Sequence, residues 1–145
     1  MIKLVEIQNA VDDKLNTNFP AYPIYVGEIP QEITRPAFFM HILPVSTRVE
    51  NKYYRNRKIN VEIRYFSRNE THLENLNMAD LLNELFDSFL MAGNRKLMVE
   101  ETRTIIEENV LCFTFDIEFS DSIDEEKAYD YQDYEYMEEL LIKED

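Results

Sequence analysis

The chain has 145 residues, 45% of them hydrophobic and 12% aromatic, and it carries a formal net charge of −14 at pH 7. Its length fits one domain with a single core, and its composition excludes a disordered chain. No apolar run is long enough to span a bilayer. The single cysteine, Cys112, excludes an intramolecular disulfide and suits a reducing compartment.

The first part of the chain predicts one helix followed by strands. The helix is indicated by an apolar stripe at three- and four-residue spacing: Leu4, Ile7, Val11 and Leu15. Asn18 and Pro20 predict its end. Residues 22–28 predict a short edge strand, residues 29–36 a connecting loop, and residues 37–45 a strand that is covered on both faces.

Pro44 predicts a break or bulge in the pairing of that last strand, because proline has no N–H to donate. The next strand is predicted over residues 58–65, where apolar and polar residues alternate with the period of a half-buried strand. Residues 46–57, STRVENKYYRNR, lie between the two strands and have weak apolar content. We expect them to form an extended hairpin that reaches beyond the globule.

The second part predicts a leucine-rich helix and a β-hairpin. Thr71 and Glu74 have the spacing of a capping box, so the helix is expected to begin near His72. Its apolar face is expected to continue to Leu90, with Gly93 as the left-handed residue that closes it. Two strands are then predicted, over residues 96–106 and 110–120, with a turn at residues 107–109.

This order of elements predicts an α+β domain over residues 1–121, with a mainly antiparallel sheet of about five strands and two helices packed on one face. Residues 122–145 are expected to form a separate acidic, tyrosine-rich extension, as a C-terminal helix or tail. Its apolar residues have helical spacing: Ala128, Tyr131, Tyr134, Met137 and Leu140/Leu141. Packing on its own domain, a frayed terminus and docking on another chain all remain open.

A basic ribbon, residues 48–68, contrasts with the acidic chain. It holds seven basic residues, Arg48, Lys52, Arg55, Arg57, Lys58, Arg64 and Arg68, against Glu50 and Glu62. A solvated strand face, a nucleic-acid site and a contact with an acidic surface on another protein chain are the three interpretations. Phosphate binding usually needs a broad basic face, which this acidic chain lacks.

The sequence predicts no catalytic residues, no metal and no cofactor. It contains only two glycines, which excludes a glycine-rich phosphate loop, and its two histidines have no ligand spacing. Six carboxylates lie on the two last predicted strands: Glu100, Glu101, Glu107, Glu108, Asp116 and Glu118. They form either a solvated face or a docking surface for a basic partner, for which the ribbon of a second copy is a candidate.

The layout of these segments resembles the small tail-terminator, or tail-completion, proteins of phages and phage-derived tail-like particles in Gram-positive bacteria. The segments that carry the resemblance are IKLVEIQNAVDDKL, YPIYVGEIPQEITRPAFFMHI, NKYYRNRKINVEIRYF, LNMADLLNELFDSFL and LCFTFDIEFSD. The resemblance covers residues 1–121 and is one of layout rather than of an invariant motif. The acidic extension cannot be assigned to that pattern.

The resemblance implies a structural protein and no enzyme. Proteins of this kind form a hexameric ring on the head-proximal end of the tail tube, stop its polymerisation and give a collar surface to the neck or head. In contractile particles, including the tailocins or R-type bacteriocins, the last sheath ring is nearby. The implied partners are other copies of the chain, the tube protein, the sheath protein and neck proteins, in a virion or tail-like particle assembled in the bacterial cytoplasm.

Contacts between subunits, or with the tube or sheath, are therefore predicted at twelve residues: Arg48, Lys52, Tyr53, Tyr54, Arg55, Arg57, Lys58, Arg64, Tyr131, Tyr134, Met137 and Leu141. The alternative function is a nucleic-acid-binding accessory protein that uses the basic ribbon. Stacking of bases on its tyrosines would support that alternative. The acidic charge of the rest of the chain opposes it, and we expect no specific nucleic acid and no membrane partner.

Overall fold

The computed structural model describes residues 1–123, which form two helices and a six-stranded mixed sheet. The elements are α1 (Leu4–Asn18), β1 (Ile24–Val26), β2 (Ala37–Val49), β3 (Tyr54–Phe66), α2 (His72–Leu85), β4 (Phe89–Ala92), β5 (Arg95–Glu107) and β6 (Val110–Ser122). The sheet order is β1-β2-β3-β6-β5-β4. The predicted C-terminal helix or tail lies outside the described residues, and the predicted domain boundary stays a prediction.

The α+β class is confirmed, whereas the predicted mainly antiparallel sheet of about five strands is a mixed sheet of six. Four of the neighbouring pairs are antiparallel, but β1 runs parallel to β2. Residues 27–36 carry the chain back to the starting end of β1 before β2 begins, and this return makes the pair parallel. The sixth strand is β4, which occupies a segment that the apolar pattern had assigned to a helix.

The core lies between the sheet and the two helices, and the prediction that both helices pack on one face is confirmed. Alternate residues of β3 and β6 share one buried cluster with α1 and α2. Four phenylalanines in this cluster have no exposed surface: Phe38, Phe86, Phe113 and Phe115. The rings of Phe86 and Phe115 lie 5.1 Å apart, so this aromatic layer fixes the junction of α2 with the sheet.

The second helix begins where predicted and ends earlier than predicted. The N–H of Glu74 donates to Thr71 Oγ1, which confirms Thr71 as the N-cap. The Glu74 carboxylate accepts a hydrogen bond from the backbone N–H of Asn69. This hydrogen bond is the main reason why the pKa of Glu74 is lowered. The helix ends at Leu85 because the next residues form a hairpin whose turn places Gly93 at φ +59.

Two predicted irregularities of the sheet are confirmed. The register between β2 and β3 shifts between Pro44 and Ser46. Such a bulge is expected there because proline has no N–H to donate to the neighbouring strand. The β5–β6 hairpin turns through Glu108 and Asn109, both with positive φ, which matches the right-handed twist of the strands. The prediction that residues 37–45 are covered on both faces holds only up to Met40, after which β2 becomes exposed.

Two adjacent leucines of α2 test this packing. Leu82 is fully buried, whereas Leu81 is 46% exposed. We expect Leu82→Ala to lower the free energy of unfolding by about 2–5 kcal/mol, because it leaves a cavity against the sheet. Leu81→Ala is the matched control and should cost less than about 1 kcal/mol. Urea unfolding followed by circular dichroism measures both, and equal losses would contradict the assigned helix face.

Candidate interaction surface

The distal part of the β2–β3 hairpin, residues 43–57, extends past the part of β2 that pairs with β1 and is called the arm. Strand β1 pairs only with residues Phe38–Met40 of β2. Among the described residues, β2 therefore has no neighbouring strand on its outer side along the arm, and residues 43–50 are all exposed. The opposite side of the hairpin is supported, because β3 pairs with β6 as far as Tyr54 and Ser122. Strand β6 thus accompanies the hairpin as far as its tip, and the prediction that it reaches beyond the globule stays a prediction.

The arm exposes several apolar and aromatic side chains to solvent. They are Leu43, Val45, Val49, Tyr53 and Tyr54, each 46–50% exposed. Fully burying one such side chain stabilises by about 1.5–3 kcal/mol. A cluster of exposed apolar groups rimmed by charges is typical of a protein interaction site.

Side-chain and backbone hydrogen bonds hold the tip of the arm in one shape. Asn51 Oδ1 accepts from the backbone N–H groups of Tyr53 and Tyr54, at 2.9 and 3.0 Å. Glu50 accepts from the Ser120 hydroxyl at 2.6 Å, which attaches the turn to β6. Both tyrosines are consequently presented from a defined turn, so little ordering entropy is lost when a partner covers them.

Arg57, one of the predicted contact residues, lies inside the molecule. It is 8% exposed, and its guanidinium donates to the Asp121 carboxylate at 3.1 Å and to the backbone carbonyl of Ile2. Asp121 is 2% exposed and also accepts from the Ile2 N–H at 2.9 Å. The charge of Arg57 is therefore paired within its own chain. The same side chain connects the residues before α1 to the base of the arm.

A second cation completes this buried cluster. Arg95 donates to the other Asp121 carboxylate oxygen at 3.3 Å. The guanidinium carbons of Arg57 and Arg95 lie 5.6 and 5.4 Å from the centre of the Phe119 ring. The sequence analysis missed this cluster, although one signal was present. Side chains two residues apart in a strand point to the same face, so Arg57 shares the buried face of Ile59, and Asp121 shares that of Phe119.

Two further cations of the basic ribbon are paired on the outer sheet face, opposite the helices. Arg64 donates to Glu62 at 2.6 Å, and this hydrogen bond raises the pKa of the Arg64 guanidinium. Lys58 lies 4.0 Å from Asp116, which also accepts from Arg103 at 3.3 Å. These partly exposed pairs contribute up to about 1 kcal/mol each, and they reduce the positive charge that the ribbon offers to a partner.

The cations of the arm itself have a different environment. Arg48 and Lys52 have no acidic partner within residues 1–123, and the Lys52 ammonium lies 5.0 Å from the centre of the Tyr53 ring. Arg55 donates to the backbone carbonyls of Asn51 and Tyr54, which places its guanidinium at the turn. The predicted contacts at Arg48, Lys52, Tyr53 and Tyr54 thus meet at one exposed tip.

An acidic surface, defined by Glu100, Glu101 and Glu118, lies on the outer face beside the base of the arm. These carboxylates line a concavity of about 190 Å³ together with Asp116, Lys58 and Arg103, so four carboxylates and two cations surround it. The register shift between Val99 and Thr102 places Glu100 and Glu101 together at a bulge. Within residues 1–123 none of the three carboxylates has an ion-pair partner, so their charge is available to a cation from elsewhere.

A larger open concavity, of about 670 Å³, lies at the opposite end of the outer face. Ile29, Phe66 and Ile105 contribute apolar surface to it, and Glu107 and Glu108 contribute acidic groups. Arg64 also lines it, so its two carboxylates leave only a small excess of negative charge there.

The single cysteine, Cys112, lies on the outer face next to Glu62. Burial, followed by the effect of Glu62, raises the pKa of the Cys112 thiol, and this disfavours the thiolate. The His41 ring stacks on Phe39, 6.4 Å away. Within residues 1–123 no group of three or more His, Cys, Asp or Glu could hold a metal ion. Neither helix of the described part is long and apolar enough to cross a membrane.

The remaining predicted contact residues, Tyr131, Tyr134, Met137 and Leu141, lie outside the described residues, so their role stays a prediction.

Comparison with known proteins gives a family and a fold. A family model described as "Phage tail terminator protein" matches residues 6–129. One solved structure is 12% identical to this chain, with a TM-score of 0.50, and the alignment covers 86% of this chain and 98% of that chain. At this identity the likeness concerns the fold alone. No curated protein matches the chain.

The buried cluster gives a stability prediction. Asp121→Ala leaves Arg57 buried without its carboxylate, and we expect it to lower the free energy of unfolding by about 3–5 kcal/mol. Glu118→Ala, on an exposed residue of the same strand, is the control and should change it by no more than about 0.5 kcal/mol. Guanidinium chloride unfolding measures both variants. A loss below about 1 kcal/mol for Asp121→Ala would show that the cluster does not stabilise the fold.

Proposed function

The chain belongs to the phage tail terminator family, whose members are structural rather than enzymatic proteins, and we propose that it is the subunit of a ring that caps a tail tube. Membership of the family gives a role in tail structure and a place in the virion. The proposed ring is a hexamer at the head-proximal end of the tube, where it ends tube and sheath polymerisation and gives a collar surface to the neck. Assembly takes place in the bacterial cytoplasm.

The observation that carries this proposal is the exposed arm. It combines apolar and aromatic side chains with Arg48 and Lys52, which have no acidic partner within residues 1–123. Such a surface is costly to leave in water and is suited to a protein partner that supplies carboxylates and apolar area. The supported turn presents Tyr53 and Tyr54 as aromatic anchors, the residue type that is enriched at interface centres.

The partner surface that fits the arm is the acidic surface of a neighbouring copy. The arm and the acidic surface are unlike, lie at different places on the same subunit and carry opposite charge. A contact between two unlike surfaces is heterologous, and repeating it generates a ring when the rotation between subunits closes. The charges would set the orientation and register of neighbours, and the apolar residues of the arm would supply most of the affinity.

The tube protein, the sheath protein of a contractile particle or tailocin, and neck proteins of a headed particle are the further partners in this proposal. A ring presents the same surface once per subunit, which suits contact with a tube of matching symmetry. Alternation along β2 and β3 gives the arm two faces, so it can touch a neighbour with one and the tube or sheath with the other.

Nothing in residues 1–123 favours the nucleic-acid alternative. Of the seven cations of the basic ribbon, Arg57, Lys58 and Arg64 have carboxylate partners in their own chain. Each such pair removes a charge that phosphate neutralisation would need. The acidic surface lies on the same sheet beside the ribbon and would repel a phosphate backbone.

Charge reversal at the arm tests the proposed ring. We expect the double variant Arg48→Glu/Lys52→Glu to keep the circular dichroism spectrum of the unchanged protein and to form no rings, because its arm then repels the acidic surface. Negative-stain microscopy and light scattering after size-exclusion chromatography measure assembly. The control Arg68→Glu/Lys96→Glu makes the same change of charge at exposed residues away from the arm and should assemble normally. Normal rings from the arm variant would contradict the proposal.

A further inference from the structure

The acidic extension begins at the tip of the arm. In the last described residues, Ser122 pairs with Tyr54, and the N–H of Ile123 donates to the Tyr53 carbonyl at 2.9 Å. The described part of the chain consequently ends beside the two exposed tyrosines of the turn. Whatever the extension contacts, it starts from this point, and the arm is the first surface within its reach.

The composition of residues 124–145 complements that of the arm. These 22 residues contain ten Asp or Glu and two Lys, so they carry a net charge of −8. They also contain large apolar and aromatic residues: Tyr129, Tyr131, Tyr134, Tyr136, Met137, Leu140, Leu141 and Ile142. The arm offers the counterparts, with Arg48 and Lys52 as cations and Val49, Tyr53 and Tyr54 as exposed apolar area.

We propose that residues 124–145 bind along the arm of their own chain. An extended chain covers about 3.3 Å per residue, so the extension can reach about 70 Å from Ile123. The exposed stretch from Leu43 to Val49 spans only about 20 Å. Attachment at the tip gives the extension an effective concentration in the millimolar range, on the order of that of a short flexible linker, which favours its own arm over that of another copy in dilute solution.

Other parts of the described surface are less suitable for the extension. The acidic surface of Glu100, Glu101 and Glu118 repels it, as do Glu107 and Glu108 around the larger concavity. The open edge of β2 beyond Met40 adds unpaired backbone groups to the cations and apolar residues of the arm. The arm is thus the described surface where charge, apolar area and backbone hydrogen bonds all favour binding.

Binding of this kind would regulate assembly, a consequence that rests on the proposed function. In the free subunit the extension covers the same cations and tyrosines that the acidic surface of a neighbour needs. A neighbour then has to displace it, so rings form only when a correctly oriented subunit or a tube end adds enough contacts. The extension would thereby oppose ring formation away from tubes.

Paramagnetic NMR on the full chain tests the contact. The variant Cys112→Ser/Gln132→Cys carries a single cysteine, which takes a nitroxide label in the middle of the extension without removing a carboxylate. We expect the label to broaden the backbone amides of residues 43–57 selectively, and the broadening to disappear when Arg48→Glu/Lys52→Glu is added. The control Arg68→Glu/Lys96→Glu should retain it. An unlabelled diamagnetic sample of each variant confirms that the fold is kept.

A mixed sample distinguishes the chain that is contacted. One population carries ¹⁵N without the nitroxide, and the other carries the nitroxide without ¹⁵N. Broadening only when both labels are on one chain supports the inference. Broadening at the arm that is also strong in the mixed sample shows a contact between chains and overturns it, as does the absence of broadening at the arm in either sample. Broadening is measured on dilute free subunits, and ring assembly is scored separately by microscopy with tube ends added. Broadening in the free subunit without rings on tube ends would contradict the proposed function alone, and rings on tube ends without broadening in the free subunit would contradict this inference alone.

Discussion

The carboxylate of Asp121 is the constraint on which the rest of the structure depends. It accepts hydrogen bonds from Arg57, Arg95 and the backbone of Ile2, and so joins the end of β6, the base of the arm and the residues before α1. A buried ion pair contributes little net stability compared with apolar packing, but removing one partner is expensive. Its main effect here is on geometry. With β6 held at this point, the three-stranded base of the arm stays stiff and the tip is presented in a fixed direction.

The distribution of charge follows from the same arrangement. Each subunit carries a net charge of −14, so two copies repel each other at long range. At physiological ionic strength this repulsion is screened beyond about 8 Å, and local surfaces decide which approach succeeds. Arg57, Lys58 and Arg64 have carboxylate partners within the chain, whereas Arg48 and Lys52 have none within residues 1–123. In the proposed assembly, the cations of the arm favour the one orientation in which the arm faces the acidic surface of the neighbouring subunit.

Sequence patterns predicted the elements whose signals are local. The stripe of α1, the alternation of β3 and β6, the Thr71 cap and the bulge at Pro44 are each fixed by neighbouring residues, and all four were predicted correctly. The direction of β1 depends on the path of residues 27–36, which no local pattern encodes. The end of α2 was misjudged because Phe89 and Leu90 continue the helical spacing of the apolar residues, although Gly93 also permits a hairpin turn. For the candidate site, the basic composition of residues 48–68 drew attention to the arm. The inward position of Arg57 was missed, because it follows only from the alternation of β3, in which Arg57 lies on the same face as the buried Ile59.

The central claim is that the arm of one copy contacts the acidic surface of another. Zero-length cross-linking by a carbodiimide tests it most directly, because the reagent joins an amine only to a carboxylate in direct contact. The sample is a ring assembled from a mixture of isotope-labelled and unlabelled subunits. Mass spectrometry should find Lys52 of one copy joined to Glu100, Glu101 or Glu118 of a different copy. Rings in which Lys52 is joined only to carboxylates of its own chain, or to none at the acidic surface, would contradict the account.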